Sequence, residues 1–380
     1  MKILFAPDSF KGTMSSMRVI ELLADAAKRT FPDSQLVTVP IADGGEGTVE
    51  ALVTAAGGQY RTVNVTGPLG EKVSAVYGVI GGKTAVIEMA QASGIMLLKE
   101  EEKNPLHTTT YGTGELIKAA LDHGIRRLVI GIGGSATNDG GIGAAQALGV
   151  RFLDRNTSDV GYGGRNLCNI ARIDVSNMDP RIKECEISVI CDVSNPLTGP
   201  AGATYVYGPQ KGAGKECLEL LESGMENYMQ VIKQCIGMDM NQVPGSGAAG
   251  GLGAAMVAFF GARLKSGIDT ILDFVDFESL LKDVDLVVTG EGKIDSQSAY
   301  GKVPVGIAKR CKSKGIKVIA IAGCMGKDAR RVFDYGIDSI MVTVNNNLSL
   351  EEALLRAGED LFDAADRMFR LIKLGMDLKT

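Results

Sequence analysis

The sequence predicts an α/β protein in which the two ends of the chain build one parallel sheet around an inserted second α/β domain. Three observations carry this. The chain opens strand–helix–strand–helix, with apolar runs at Lys2–Ala6 and Gln35–Ile41. The same rhythm returns in the last third, with runs at Val284–Thr289, Lys317–Ala322 and Ser339–Val344. Neither end has enough strands for a stable sheet alone, so pairing them gives one sheet of about five strands covered on both faces by helices. Between them the texture changes: Val73–Ile80 and Lys83–Glu88 flank Gly81-Gly82 and read as an antiparallel hairpin. The expected division is residues 1–68 plus 280–380 for the first domain and 69–279 for the inserted, mixed-sheet domain, with a cleft between them.

Each element has a local reason. Ser15 or Ser16 caps a helix whose apolar face is Val19, Ile20, Leu23, Ala26 and Ala27. A second helix runs from about Glu46 to Ala56 and stops at Gly57-Gly58. Thr113 caps a helix carrying Leu116, Ile117, Ala120 and Leu121 on one face, ended by Gly124. The strand Arg127–Ile132 breaks into GIGGSATNDGGIG (Gly131–Gly143) before GAAQAL restarts as helix. Leu153–Asp179 is polar and glycine-rich, and reads as loop or edge structure. Glu186–Cys191 is a strand, Tyr207–Ala213 is loop-like and Cys217–Cys235 is helical. Lys302–Ser313 and Leu350–Lys373 are the late helices.

Composition narrows the function classes. The 380 residues suit two domains, and 45% hydrophobic with 22% charged residues is ordinary for a globular chain. A formal charge of −5 argues against nucleic acid or an anionic membrane as the main partner, and leaves a homo-oligomer open. Seven cysteines without a C-x-x-C pair read as reduced thiols and a cytoplasmic location. The N-terminal apolar run is too short for a signal peptide. Val243–Ala262 carries no charge, but Pro244 and clustered glycines make it a loop plus a buried helix rather than a membrane span.

Ligands of open α/β sheets bind beyond the carboxyl ends of the strands. Here five strands end in polar, glycine-rich loops: Pro7–Gly12, Ala42–Thr48, Gly133–Gly141, Asp192–Gly199 and Gly290–Ser298. Such loops present backbone N–H groups to an anion, and five of them suggest one shared cleft. Asp43 and Glu46 flank a glycine pair at a helix start, either as acids that cap the helix or as carboxylates of a metal–phosphate site. Asp192 leaves a strand just ahead of Asn195-Pro196, either as a turn initiator or as a proton acceptor. Glu291 and Asp295, with Gln297 and Lys302, have the chemistry to hold Mg²⁺ and steady phosphate oxygens. Lys11 is a surface lysine or a point charge for phosphate or carboxylate, and Lys211 in GPQKGA shares that ambiguity. His107 and His123 lack partners at metal-ligand spacing, and neither a G-x-S-x-G elbow nor a Walker loop is present. Gly131, Gly133 and Ala136, with Asp154 downstream, fit a loose dinucleotide pattern. The residues alone therefore reach a phosphate-handling two-domain α/β enzyme. An NAD-dependent oxidoreductase and a non-catalytic sugar-acid-binding protein remain as alternatives.

PDSFKG, IADGGEGT, YGTGELI, GGSATNDGG, CDVSNPLTGPAGA, YGPQKGA, PGSGAAGGLGA and TGEGKIDSQSAYGK occur in order from Pro7 to Lys302, spread over most of the chain. Together they resemble the bacterial glycerate kinase family, type 1. Departures are small: Ser246 stands where the family often has alanine, and GYGGRNL loosens its usual glycine run. The resemblance implies a flavodoxin-like domain interrupted by a second domain. It also implies ATP- and Mg²⁺-dependent phosphorylation of D-glycerate, usually to 2-phosphoglycerate. On that basis Asp192, Lys11 and Asp295 are the expected catalytic residues. Asp8, Ser9, Asp43, Gly44, Gly45, Ser135, Thr137, Asn138 and Asn195 are expected at the substrate. Gly133, Gly134, Lys211, Gly290, Gln297 and Lys302 are expected at the nucleotide, and Glu291 and Asp295 at the metal.

Overall fold

The structure, a computed structural model, describes residues 1–10, 12–41, 47–296, 298, 302–344 and 349–378. The strands among them are β1 (Lys2–Pro7), β2 (Gln35–Thr38), β3 (Gln59–Thr66), β4 (Lys72–Ile80), β5 (Thr84–Glu88), β6 (Arg127–Gly131), β7 (Arg151–Leu153), β8 (Arg172–Asp174), β9 (Glu186–Ile190), β10 (Arg263–Lys265), β11 (Leu286–Ile294), β12 (Lys317–Met325) and β13 (Ser339–Val342). The chain divides into two compact units, the first made of Met1–Asp43, Glu50–Ala55 and Gly267–Thr380, the second of Gly44–Val49 and Ala56–Ser266.

The first unit holds a five-stranded sheet in the order β13-β12-β11-β1-β2, parallel throughout. Renumbered within the unit, that is the 2-1-3-4-5 order of flavodoxin-like folds, with the switch point between β1 and β11. Ile3, Leu4, Phe5 and Ala6 are fully buried, as a strand covered on both faces requires. The Ser16–Thr30 helix starts where expected: Ser15 Oγ accepts from Arg18 N at 3.2 Å. Its Val19, Ile20 and Leu23 join Leu361, Met368 and Phe369 of the Ala357–Asp377 helix in one core cluster. Phe5 and Phe369 meet edge to face at 6.3 Å.

The second unit holds a mixed six-stranded sheet, β10-β9-β6-β5-β4-β3, and a two-stranded ribbon of β7 and β8. β4 and β5 form the expected hairpin, and Gly81 and Gly82 both take positive φ (56° and 65°), which the turn requires and side chains resist. Residues 56–68, expected in the first domain, belong to the second unit, because β3 pairs antiparallel with β4 from Gln59↔Val79 to Thr66↔Lys72. Its first four residues are exposed, so β3 carries no apolar alternation to reveal it. Residues 267–279 likewise fall in the first unit.

Several local expectations are corrected. The helix assigned to a Thr113 cap spans Tyr111–Asp122 with Thr110 at the N-cap position; Thr113 Oγ1 lies 2.9 Å from Ser93 Oγ instead. The polar stretch after Leu153 contains β8, paired with β7. Tyr207–Ala213 is more ordered than a loop, since a short helix, Ala203–Tyr207, runs into a 3₁₀ turn over Pro209–Lys211. The uncharged stretch, by contrast, is as expected: turns lead into the buried Ala248–Phe260 helix, kinked where Ala249, Gly250 and Gly251 take positive φ. Among the described residues, no helix is long and apolar enough to cross a membrane. His123 ends its helix, its Nδ1 donating to Ala119 O at 2.8 Å and lying 3.0 Å from Tyr77 OH.

Candidate active site

In the second unit β5, β6 and β9 run parallel and end in register, Glu88 beside Gly131 beside Ile190. The Gly131–Gly143 stretch therefore starts between Glu88 and the Cys191-Asp192 pair. Backbone bonds fix its course: Ile95 N donates to Gly134 O (2.8 Å), Ala136 N to Ser93 O (2.9 Å) and Gly140 N to Gly250 O (2.9 Å). Gly134, Gly140 and Gly141 take positive φ, which leaves the loop tight enough for Gly250 to lie against Thr137 O.

Two buried charged groups hold the loop from within. The Asp139 carboxylate is fully buried and accepts from Thr110 N (2.8 Å), Thr110 Oγ1 (2.9 Å) and Gly141 N (3.0 Å). Burial raises its pKa, and these hydrogen bonds oppose the rise. Lys211, 2% exposed, donates from Nζ to Thr137 O at 2.6 Å. Burial pushes its ammonium down to about 7 against the attraction of Asp139.

The loop's own side chains are left with unused capacity. Thr137 and Asn138 are fully buried; Asn138 Nδ2 donates to Thr204 Oγ1 at 3.2 Å. Among the described residues, Thr137 Oγ1 and Asn138 Oδ1 have no hydrogen-bond partner. Buried polar atoms are nearly always paired; Gln146 Oε1, Glu222 Oε2, Tyr228 OH, Ser246 Oγ and Asp360 Oδ2 share this state, but only Thr137 and Asn138 are adjacent residues of one strand-end loop. Ser135 is buried beside them, bridged to Gly94, and Gly133 and Gly134 open the same loop. Asp192 is exposed at the end of β9. Asn195 is committed to its own loop: Nδ2 donates to Ala201 O (2.8 Å) and Oδ1 accepts from Tyr207 OH (2.6 Å).

In the first unit the switch point collects acids. Pro7 and Gly290 are register partners, and Asp8 N donates to Gly290 O at 2.8 Å. The carboxylates that follow, Asp8 and Glu291, are both nearly buried. Asp8 Oδ1 accepts from Ser9 N at 2.7 Å. Ser298 Oγ donates to Glu291 and accepts from Asp295 N at 3.1 Å. Lys302 Nζ lies 3.8 Å from Glu291, and Lys293 Nζ 3.2 Å from Asp295. Gly290 has a packing role as well, since a Cβ there would stand 2.4 Å from Ile321 O on β12. Lys11, Asp43, Gly44, Gly45, Glu46 and Gln297 lie outside the described residues. Among the described residues, no group of three or more His, Cys, Asp or Glu is placed to hold a metal.

The structure thus groups Ser135, Thr137, Asn138 and Lys211 in one unit, and Asp8, Ser9, Glu291, Asp295 and Lys302 in the other. Sequence reasoning missed Asp139, Glu88 and Glu222. Glu88 accepts from Val49 N at 2.8 Å, and Glu222 from Gly199 N at 2.5 Å. Asp139 alone had a local signal: it bonds the backbone two residues on, as an acid before a glycine pair does. Asp154, the acid of the dinucleotide pattern, accepts from Asn156 N (2.8 Å) and Ser158 N (2.9 Å), which makes it a turn residue.

Comparison with known proteins agrees over nearly the whole chain. The glycerate kinase family model matches residues 3–373. A glycerate kinase of Bacillus subtilis (strain 168) is 49% identical over 375 residues, covering 98% of both chains. A glycerate 2-kinase of Escherichia coli (strain K12) is 48% identical over 377 residues, covering 99% of both. A crystal structure assigned as glycerate kinase 2 from Salmonella typhimurium LT2 superposes with a TM-score of 0.88 at 45% identity, covering 99% of both.

Proposed function

The chain belongs to the glycerate kinase family, and from that premise we propose that it transfers the γ-phosphoryl group of ATP to D-glycerate, giving 2-phospho-D-glycerate and ADP. The observation that carries the substrate assignment is the buried, unpartnered pair Thr137 Oγ1 and Asn138 Oδ1. A hydroxyl that can donate and a carbonyl that can accept suit a substrate bearing a carboxylate beside hydroxyls. Ser135, Thr137 and Asn138 then bind the glycerate carboxylate and its non-reacting hydroxyl. The backbone of Gly133 and Gly134 faces the nucleotide phosphates.

Phosphoryl transfer asks mainly for alignment and charge neutralisation. Asp192, at the end of β9, takes the proton of the attacking hydroxyl as the oxygen–phosphorus bond forms and ADP departs. Glu291 and Asp295 offer hard carboxylate oxygens, which suit Mg²⁺ and would hold it with most of its remaining ligands supplied by phosphates and water, and Asp8 is assigned to the substrate. Bound there, the ion would neutralise phosphate charge. Lys302, which follows β11, is assigned to the phosphate oxygens, and so, from the sequence alone, are Lys11 and Gln297. Asp43, Gly44, Gly45, Ser9 and Asn195 complete the substrate set, Asn195 by shaping its loop. Seven free thiols, with no disulfide among the described residues, support a cytoplasmic location.

An ADP-release assay with D-glycerate, ATP and Mg²⁺, followed by phosphorus NMR of the product, tests the reading. A 2-phosphate is coupled to one carbon-bound proton and appears as a doublet. A triplet places the phosphate at C3 and overturns the product, and no ADP release overturns the donor and acceptor together.

A further inference from the structure

We propose that Lys211 is a positioning residue for phosphoryl transfer: from behind the Gly133–Gly141 loop its ammonium grips the Thr137 carbonyl and so holds Thr137 and Asn138 against the glycerate carboxylate. This rests on the assignment of that loop to glycerate.

The argument is geometric. Lys211 stands on the 3₁₀ turn Pro209–Lys211, which is remote in sequence from the loop, yet its Nζ reaches Thr137 O at 2.6 Å. It is 2% exposed, and its Nζ is engaged with the loop carbonyl rather than held out at the surface. Burying an ammonium is costly, and the bond it makes lands on the peptide that joins the two residues with unpartnered atoms. Its other neighbours are consistent with a fixed clamp. Gly212 takes φ +91° against Lys103 O, where a Cβ would stand at 2.3 Å. The Lys103 ammonium turns away to Glu100. Asp139 is the opposing charge. Tyr228, against Gly140, stays un-ionised, its pKa raised by burial and Asp139.

One consequence separates this clamp from a purely structural lysine. Burial brings the ammonium down to about 7, so above neutral pH much of the free enzyme lacks the charge. An arriving carboxylate favours the charged form. Glycerate binding near pH 8 should therefore take up a fraction of a proton.

The test uses the full-length protein with Mg²⁺ and a non-hydrolysable ATP analogue, titrating D-glycerate calorimetrically in two buffers of different ionisation enthalpy. Wild type should take up protons, with kcat/KM for glycerate falling as pH rises from about 6.5 to 8.5. Lys211→Met should abolish the uptake and raise the glycerate KM about tenfold, with kcat changed less than about threefold. No uptake by wild type overturns the proposal whether or not the variant folds. So does a Lys211→Met glycerate KM within about twofold of wild type. Asn138→Ala tells the two failures apart. If it raises the glycerate KM while Lys211→Met does not, only the clamp is wrong. If neither moves it, or if only the ATP KM moves, the assignment of the loop to glycerate is wrong.

Discussion

Asp192 is exposed at the end of β9 while Asp139 is sealed inside the same unit, and substitutions at the two should be read with different instruments. Asp192→Asn keeps the shape and removes the proton acceptor. Turnover should fall by about two to four orders of magnitude with the unfolding transition unchanged, and a near-normal kcat would remove Asp192 from the mechanism. Asp139→Ala instead strands the buried N–H groups of Thr110 and Gly141. Each stranded donor costs about 1–3 kcal/mol, so urea unfolding should show a loss of at least about 2 kcal/mol. Lys211 adds a pH signature. Its pKa is depressed in the folded chain to about 7, so the unfolded chain binds more protons above that value. Stability should accordingly rise with pH between about 7 and 10, and the wild-type-minus-Lys211→Met difference in unfolding free energy should carry that slope. Only part of this was legible in the sequence. Thr137 and Asn138 stood out by residue type and place. The clamps on them, Asp139 and Lys211, act through Thr110 and a carbonyl many residues away, and a linear pattern does not contain those distances.

At the scale of elements, glycine position decides more than glycine number. Gly250, at φ +67° inside the kinked Ala248–Phe260 helix, would place a Cβ 2.1 Å from Thr137 O. Gly261, at φ +62° just past that helix, would meet nothing within 4 Å. Gly261→Ala should cost about 1–2 kcal/mol for its left-handed backbone alone. Gly250→Ala must also move the loop, adding a further cost of about 1–3 kcal/mol and raising the glycerate KM; melting curves and steady-state kinetics of the two variants check this. Strands with apolar alternation or continuous apolar runs, such as β1, β6 and β9, were readable, as was the hairpin around Gly81-Gly82. β3 was not, because Gln59, Tyr60, Arg61 and Thr62 face solvent and the pairing partner supplies its order. The helix at Tyr111 began earlier than its Thr113 signal because Thr110 is held by Asp139, a tertiary tie that overrides local capping preference.

At the scale of the whole molecule, the two units hold separable sets of residues, and the proposed function makes that separation measurable. Glu291→Gln, in the first unit, should raise the Mg²⁺ concentration for half-maximal activity about tenfold, a loss of about 1.4 kcal/mol, and leave the glycerate KM near wild type. Asn138→Ala, in the second, should do the reverse. Titrations of Mg²⁺ and of glycerate on both variants give the comparison. The parallel rhythm at both chain ends made a sheet of about five strands foreseeable, and the family resemblance its flavodoxin-like character, whereas the strand order comes from which edges meet. That order has a consequence for synthesis. β1 pairs with β11, so Thr289 bonds Ala6 across a separation of 283 residues. A growing chain leaves the ribosome with β1 and β2 made and β1's inner edge bare. At roughly 5–20 residues per second, β11 follows on the order of ten to fifty seconds later. The second sheet, complete at β10, can close in that interval. The first sheet waits with an open edge that invites pairing with other chains, so a slowed or truncated translation product should be captured by chaperones or aggregate before the first sheet ever forms.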